Sequence, residues 1–250
     1  MKNKAICAVS LLLVAAMFSG CLGVTISGGW GGSGTMRGEG EVLTFPVETG
    51  DFTAIEIGGA FEVTYRQAAT SSVTVEIQQN LFDQMNFTLA GDTLTIGSDV
   101  IFSTDWGRAP RLTIYAPTLT RVSFSGATST IDWDTVVAER FSLNVSGASD
   151  ASIPLEVGEL GVNISGAGSI ALHGIADVAD IRTAGAADIS AGNLQTRIAS
   201  VSISGMGSVI LACSEQLSAS ISGAGSLEYI GNPTVSQRVS GAGSISQIRS

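Results

Sequence analysis

The sequence predicts an all-β protein, a single-chain parallel β-helix (β-solenoid) with about seven repeated coils in its C-terminal half and a strand-rich N-terminal portion continuous with them. Two observations predict it. A short phrase, Ser-Gly-Ala-Gly-Ser followed by an apolar residue, returns as SFSGATST, NVSGASDAS, NISGAGSI, RTAGAADI, SISGMGSV, SISGAGSL and VSGAGSI, with first glycines at Gly126, Gly147, Gly166, Gly185, Gly205, Gly223 and Gly241. Steps of 18 to 21 residues between these glycines give the period expected of stacked coils, each of which buries its apolar face only against its neighbours. Flanking this, segments rich in Thr, Val, Ile and Tyr alternate apolar and polar residues with period two, the spacing of a half-buried strand.

Taken in order, residues 1–20 read as an export signal: Lys2 and Lys4 precede an apolar run from Ala5 to Phe18, followed by the small residues Ser19 and Gly20. The run is too short for a permanent membrane span. Phe18-Ser19-Gly20-Cys21 resembles the lipobox of bacterial lipoproteins, which implies acylation of Cys21 as the new N-terminus, with Phe18 standing where Leu is usual. The acyl chains would bind a membrane at roughly 0.8 kcal/mol per buried methylene. Leu22 is not the aspartate of the inner-membrane retention rule, so the resemblance implies outer-membrane attachment. Residues 21–41 are glycine-rich with little to bury and are expected to form a tether, and the folded domain is expected over 42–250.

Within that domain, AIEIGGAFEVTYRQ, SVTVEIQQ, MNFTLAGDTLTIGS and RLTIYAPTL are predicted strands, with a tight hairpin at Ala90-Gly91-Asp92 and one helical turn over Asn80–Met85. In the repeats, the residue two before each first glycine (Phe124, Val145, Ile164, Thr183, Ile203, Ile221, Val239) and the residue four after it (Thr130, Ala151, Ile170, Ile189, Val209, Leu227, Ile245) form two mostly apolar columns. Residues three before the glycine, Ser123, Asn144, Asn163, Arg182, Ser202, Ser220 and Arg238, form a polar column that faces water. With coils stacked about 4.8 Å apart, like residues lie above like, and the glycines mark a bend with positive φ or close backbone approach.

Composition narrows function. Losing Lys2 and Lys4 with the signal leaves ten of the 12 cationic side chains, all arginine, against 22 carboxylates, a net charge of −12. Such a body repels phosphate backbones, which argues against nucleic-acid binding. One histidine, His173, and no cysteine pair in the mature chain besides Cys21 and Cys213 exclude the usual zinc spacings and a disulfide framework, so neither a metal nor a cofactor is expected. Cys213 follows an apolar run and reads as a small buried hydrophobe.

The order and spacing of DFTAIEIGGAFEVTYRQ, VTVEIQQNLFDQMNFTLAGDTLTI, LTIYAPTLTRVSFSGA and the SGAGS coils, from about Phe45 to Ile248, resemble the putative auto-transporter adhesin, head GIN domain family of bacterial envelope proteins. The resemblance implies a β-helix and an adhesin-like role without specifying a mechanism. An auto-transporter needs a membrane barrel of alternating strands. The sequence runs out in SGAGSISQIRS, so lipid anchoring is expected in its place.

Two carboxylates were weighed for catalysis. Asp150 and Asp188 share a column with Ser129, Ser169, Ser208, Ser226 and Ser244 and fall two coils apart, roughly 9.6 Å at one strand spacing per coil. That lies near the upper end of the roughly 6.5–9.5 Å of inverting glycosidases. Asp and Ser also satisfy bends by bonding to nearby backbone, which is the alternative role of this column. Trp133, between Asp132 and Asp134, and Trp106, beside Asp105 and Arg108, are candidates either to stack a sugar ring or to pack over the solenoid wall. The resulting expectation is a non-catalytic, outer-membrane-anchored lipoprotein of the cell envelope, adhesin-like, that binds a glycan or an envelope or host protein. The alternatives are a periplasm-facing scaffold and a polysaccharide-cleaving enzyme. Exposed sheet edges at a solenoid end also predict homo-oligomers.

Overall fold

The computed structural model describes residues 34–103 and 109–248. Strands dominate, as the β-branched alternation requires. The N-terminal portion holds β1 (Thr35–Arg37), β2 (Val42–Val47), β3 (Ala54–Ile57), β4 (Ala60–Gln67), β5 (Ser72–Gln78), the short helix α1 (Gln79–Phe82), β6 (Met85–Ala90), β7 (Thr93–Ser98), β8 (Ile101–Ser103) and β9 (Arg111–Ala116). The coils follow as β10 (Arg121–Phe124), β11 (Ala127–Thr130), β12 (Val136–Val145), β13 (Ala148–Ile164), β14 (Ala167–Thr183), β15 (Ala186–Ile203), β16 (Ser208–Ile221), β17 (Ser226–Ile230), β18 (Thr234–Val239) and β19 (Ser244–Gln247). Every pairing among the coils is parallel, and β13, β14 and β15 wrap nearly a whole coil each. The fold is therefore the predicted β-solenoid, of about seven turns.

Backbone packing explains the glycine column. A Cβ built on Gly147 would stand 1.9 Å from the Gly126 carbonyl oxygen, one on Gly166 would stand 1.8 Å from that of Gly147, and one on Gly185 would stand 1.8 Å from that of Gly166. No side chain fits there, because real Cβ contacts do not fall below 3.0 Å. Close approach, the second of the two expected reasons, thus applies to most of the column, and positive φ is confined to Gly241 at its C-terminal end and Gly59 at its start. The ladder continues on either side of the corner, with Ser146 N–H donating to Phe124 O at 2.9 Å, Ala148 N–H to Gly126 O at 3.0 Å and Ala167 N–H to Gly147 O at 3.0 Å.

Gly59 belongs to a coil that the repeat phrase does not reveal. The Cβ that Gly126 lacks would lie 1.9 Å from the Gly59 carbonyl oxygen, while β3 pairs with β10 and β4 with β11 in the register of the later coils. Between Gly59 and Gly126 the chain leaves the stack to build an end piece. There β2 and β5, β5 and β9, and β6 and β7 pair antiparallel, with Gly91 (φ 63°) and Asp92 closing the predicted two-residue hairpin. The helical turn at Gln79–Phe82 lies where Asn80–Met85 was expected. One expectation is corrected: Thr35–Arg37, inside the supposed tether, forms β1 and pairs in parallel with β8, with the Met36 side chain packed on the core. Three residues with a single apolar contact are too short a pattern to stand out in a glycine-rich run.

The core is one continuous column of alternating inward residues. Phe124, Val145, Ile164, Thr183, Ile203 and Ile221 are all buried, and the facing column of Ala151, Ile170, Ile189, Val209 and Leu227 is buried with them. Each such aliphatic side chain contributes roughly 1.5–3 kcal/mol by leaving water. Aromatics concentrate at the N-terminal end, where Phe52, Phe61 and Tyr65 are enclosed. At the other end Val239 is 44% exposed. The apolar column therefore runs into solvent at the last described coil.

Candidate functional site

Parallel register carries the polar column intact across the coils. Ser123 pairs with Asn144, Asn144 with Asn163, Asn163 with Arg182, Arg182 with Ser202, Ser202 with Ser220 and Ser220 with Arg238. Asparagine amides bridge neighbouring coils here, with Asn163 Nδ2 donating to Asn144 Oδ1 at 3.2 Å. Alongside runs a second row of short side chains at the glycine corner, Ser125, Ser146, Ser165, Ala184 and Ser204. Because the corner turns away and its residues are small, the two rows enclose an open groove of about 500 Å³ lined by both, from Ser123 to Ser204. That volume suits a ligand site, and its length along five coils suits an extended ligand more than a compact one. Arg182 is the one charged residue lining it, 65% exposed and paired with Asp180 at 2.6 Å.

Asp150 and Asp188 lie across the glycine corner. Their register, Asp150 to Ser169 to Asp188, confirms the two-coil separation, and both line a second shallow groove of about 430 Å³. Each carboxylate is engaged with the next coil: Asp150 Oδ1 accepts the Ser169 N–H at 3.1 Å and Asp188 Oδ1 accepts the Ser208 hydroxyl at 2.5 Å. These bonds stitch coil to coil, reaching the neighbouring coil where the sequence suggested a bond to the local backbone of the bend.

Of the two roles open to Trp133, its placement is that of a side chain packed into the wall. It is only 8% exposed, its indole N–H donates to Val63 O at 2.9 Å, and its ring lies 5.6 Å from that of Tyr65. The carboxylates beside it close on Arg66, whose guanidinium contacts Asp132 and lies 3.2 Å from Asp134. Arg66 donates to the Asp132 carboxylate and so holds that carboxyl below its ordinary range. Asp132 itself sits at φ 55°, a left-handed conformation fixed by both its carbonyl and its carboxylate bonding Arg66. Burial, and secondarily Asp134, push the Tyr65 hydroxyl up to about 12. This cluster is a structural clasp between the first coil and the loop before β12.

Cys213 is buried as expected, with its thiol against the Arg197 and Gln216 carbonyls. His173 is exposed on the outer wall. Among the described residues no group of three or more His, Cys, Asp or Glu side chains is placed to hold a metal. Cys21 and Trp106 lie outside the described residues. The groove lining itself was legible only in part, since the Ser/Asn column was predicted to face water but the concavity arises from its neighbour, the serine row at the corner.

A stack of parallel coils with a continuous apolar interior and an open groove along one corner defines a single-chain β-solenoid. More narrowly, the chain belongs to the family described as putative auto-transporter adhesin, head GIN domain, which matches residues 51–233. No curated protein matches it. Among solved structures it is similar to a putative adhesin from Bacteroides fragilis, at 24% identity and TM-score 0.81 over 85% of this chain and 100% of that one. It is likewise similar to a putative lipid binding protein from Parabacteroides distasonis, at 22% identity and TM-score 0.69 over 86% and 99% of the two chains. A putative adhesin from Parabacteroides merdae matches at 20% identity and TM-score 0.62 over 86% and 99%. At these identities the likeness establishes the fold.

Proposed function

We propose that this chain is a non-catalytic, adhesin-like binding module of the bacterial cell envelope, anchored in the outer membrane by lipid on Cys21, and that it holds an extended polar polymer such as a glycan along the Ser/Asn groove. The single observation that carries the reading is the groove itself, in which one short polar side chain per coil repeats at a strand spacing of roughly 4.8 Å. A repetitive wall fits a repetitive ligand. The family and the names given to its structural neighbours, adhesins and a binding protein, agree with a binding role. Asp150 and Asp188 each give one oxygen to a coil-to-coil bond, which supports a structural role for them over the polysaccharide-cleaving alternative. In the same reading the exposed edges of β18 and β19 pair with a second copy, and a monomeric mass over a wide concentration range would remove that element.

Binding to a glycan array by the full mature chain tests the groove. The double variant Asn144→Ala, Asn163→Ala is expected to weaken capture about tenfold, the equivalent of roughly 1.4 kcal/mol. Capture unchanged by the double variant would move the site elsewhere. Protease accessibility on intact cells against cells with an opened outer membrane then separates surface adhesion from a periplasmic scaffold: digestion of intact cells supports adhesion, and protection until opening supports the scaffold.

A further inference from the structure

At the end piece of the solenoid the core continues outward into a partly exposed apolar rim. Phe45 on β2 stacks on Phe82 of α1 at 4.1 Å, and Phe82 meets Phe87 of β6 at 6.1 Å, so three partly buried rings bridge the two edge strands. On either side of them Leu43 is 44% and Leu89 37% exposed. Soluble surfaces seldom gather large apolar side chains this way without something to cover them.

The chain's own course names the cover. The described residues enter at this end, where Asn80 of α1 accepts the Glu39 N–H at 3.0 Å and donates to the Arg37 carbonyl at 2.8 Å. Between Cys21 and Thr35 lie 13 residues, a reach of at most about 50 Å even if fully extended. Of the two solenoid ends, this is the one at which the chain leading from Cys21 enters the fold. We propose that the rim formed by Leu43, Phe45, Phe82, Phe87 and Leu89 seats in the interfacial region of the bilayer, so that the solenoid stands with its N-terminal end on the membrane and its last coil outermost. The proposal rests on the lipid anchor at Cys21. Glu41 and Asp83, exposed beside the rim, make uncharged headgroups the better partner and anionic ones the worse.

The test uses the full mature chain produced with its signal, in a Cys213→Ala background, carrying a bimane label at Leu89→Cys or, as the distal control, at Ser246→Cys. Chains are reconstituted into phosphatidylcholine vesicles with and without brominated acyl chains. The expected result is flotation with the vesicles, emission at position 89 quenched severalfold, emission at 246 unchanged, and quenching at 89 reduced when phosphatidylglycerol is added. Flotation with no quenching at 89 overturns the proposal while leaving the anchor intact. Failure to float overturns the anchor and the proposal together. Quenching at 89 equal to that at 246, or a label at 89 shielded by a second copy in vesicle-free solution, also overturns it. A Leu43→Glu variant that floats and binds its ligand but loses the quenching at 89 keeps the result independent of folding.

Discussion

Trp133 lies against Tyr65 with ring centroids 5.6 Å apart and the planes tilted by 50°, and the two residues come from opposite sides of the long insertion that separates the first coil from the second. Their contact therefore ties the first coil to the loop that precedes β12. Replacing Trp133 by Ala is expected to destabilise the chain by about 3–5 kcal/mol, chiefly through lost burial, since the Val63 carbonyl that loses the indole keeps the Ile131 N–H at 2.8 Å. Denaturant titration checks it, with glycan capture measured under native conditions unchanged. Loss of capture by a folded Trp133→Ala protein would restore the sugar-stacking role.

The glycine corner gives a sharper contrast. Gly166→Ala would drive a methyl to 1.8 Å from a backbone carbonyl and should cost more than about 3 kcal/mol. Gly161→Ala, whose new methyl meets only the Ser142 hydroxyl at 3.8 Å, should leave the unfolding midpoint within about 0.5 kcal/mol of the parent. Equal effects would mean that the corner relaxes and that the column is not held by contact.

The Tyr65 hydroxyl gives stability an alkaline limit. Its pKa rises from the ordinary 10.0 to about 12 in the fold, so the neutral form is the one the fold favours. A raised pKa contributes stability that is complete below pH 10.0 and is lost as pH climbs through about 12. Denaturant midpoints measured across that window should fall for the parent chain. They should fall less for Tyr65→Phe, which carries no titrating hydroxyl but starts lower for want of the bond to Ala116 O.

Asp150 and Asp188 are expected to behave as stitches. Asp150→Asn and Asp188→Asn, singly or together, should shift the unfolding midpoint by no more than about 1 kcal/mol each, as for other exposed hydrogen bonds. Their effect on glycan capture should be nil. A glycan-cleaving activity in the parent chain that both variants abolish would reinstate the enzymatic alternative.

Much of the fold was legible because a solenoid writes its contacts into its sequence at a fixed interval. Asn144 and Asn163 sit one coil apart in the chain and hydrogen-bond in space, so the polar column could be read directly from the repeat. What escaped notice was whatever depended on partners far away in sequence. Gly59 in EIGGAFEV carries the same pattern as the repeats, with Ile57 two before it and Val63 four after, but no copy lies within a coil's length to reveal it as a repeat. The burial of Trp133 depended on Tyr65 and Val63 across the insertion, and Asp132-Trp133-Asp134 alone reads equally well as an exposed acidic patch. The groove needed both the polar column, which alternation reveals, and the turning away of the small-residue row at the corner, which it does not.

The contact between Gly59 and Gly126 has a bearing on how such molecules arise. These two backbones meet as closely as Gly126 and Gly147 do, although a hairpin, a helix and several strands intervene along the chain in the first case and a single coil in the second. Neighbouring coils recognise each other through main-chain atoms at one corner, indifferent to the length of the excursion between them. Duplicating a coil, or splicing a new loop between two, leaves that handshake unchanged, so a gene of this kind can lengthen its solenoid one rung at a time without redesigning the rungs already in place.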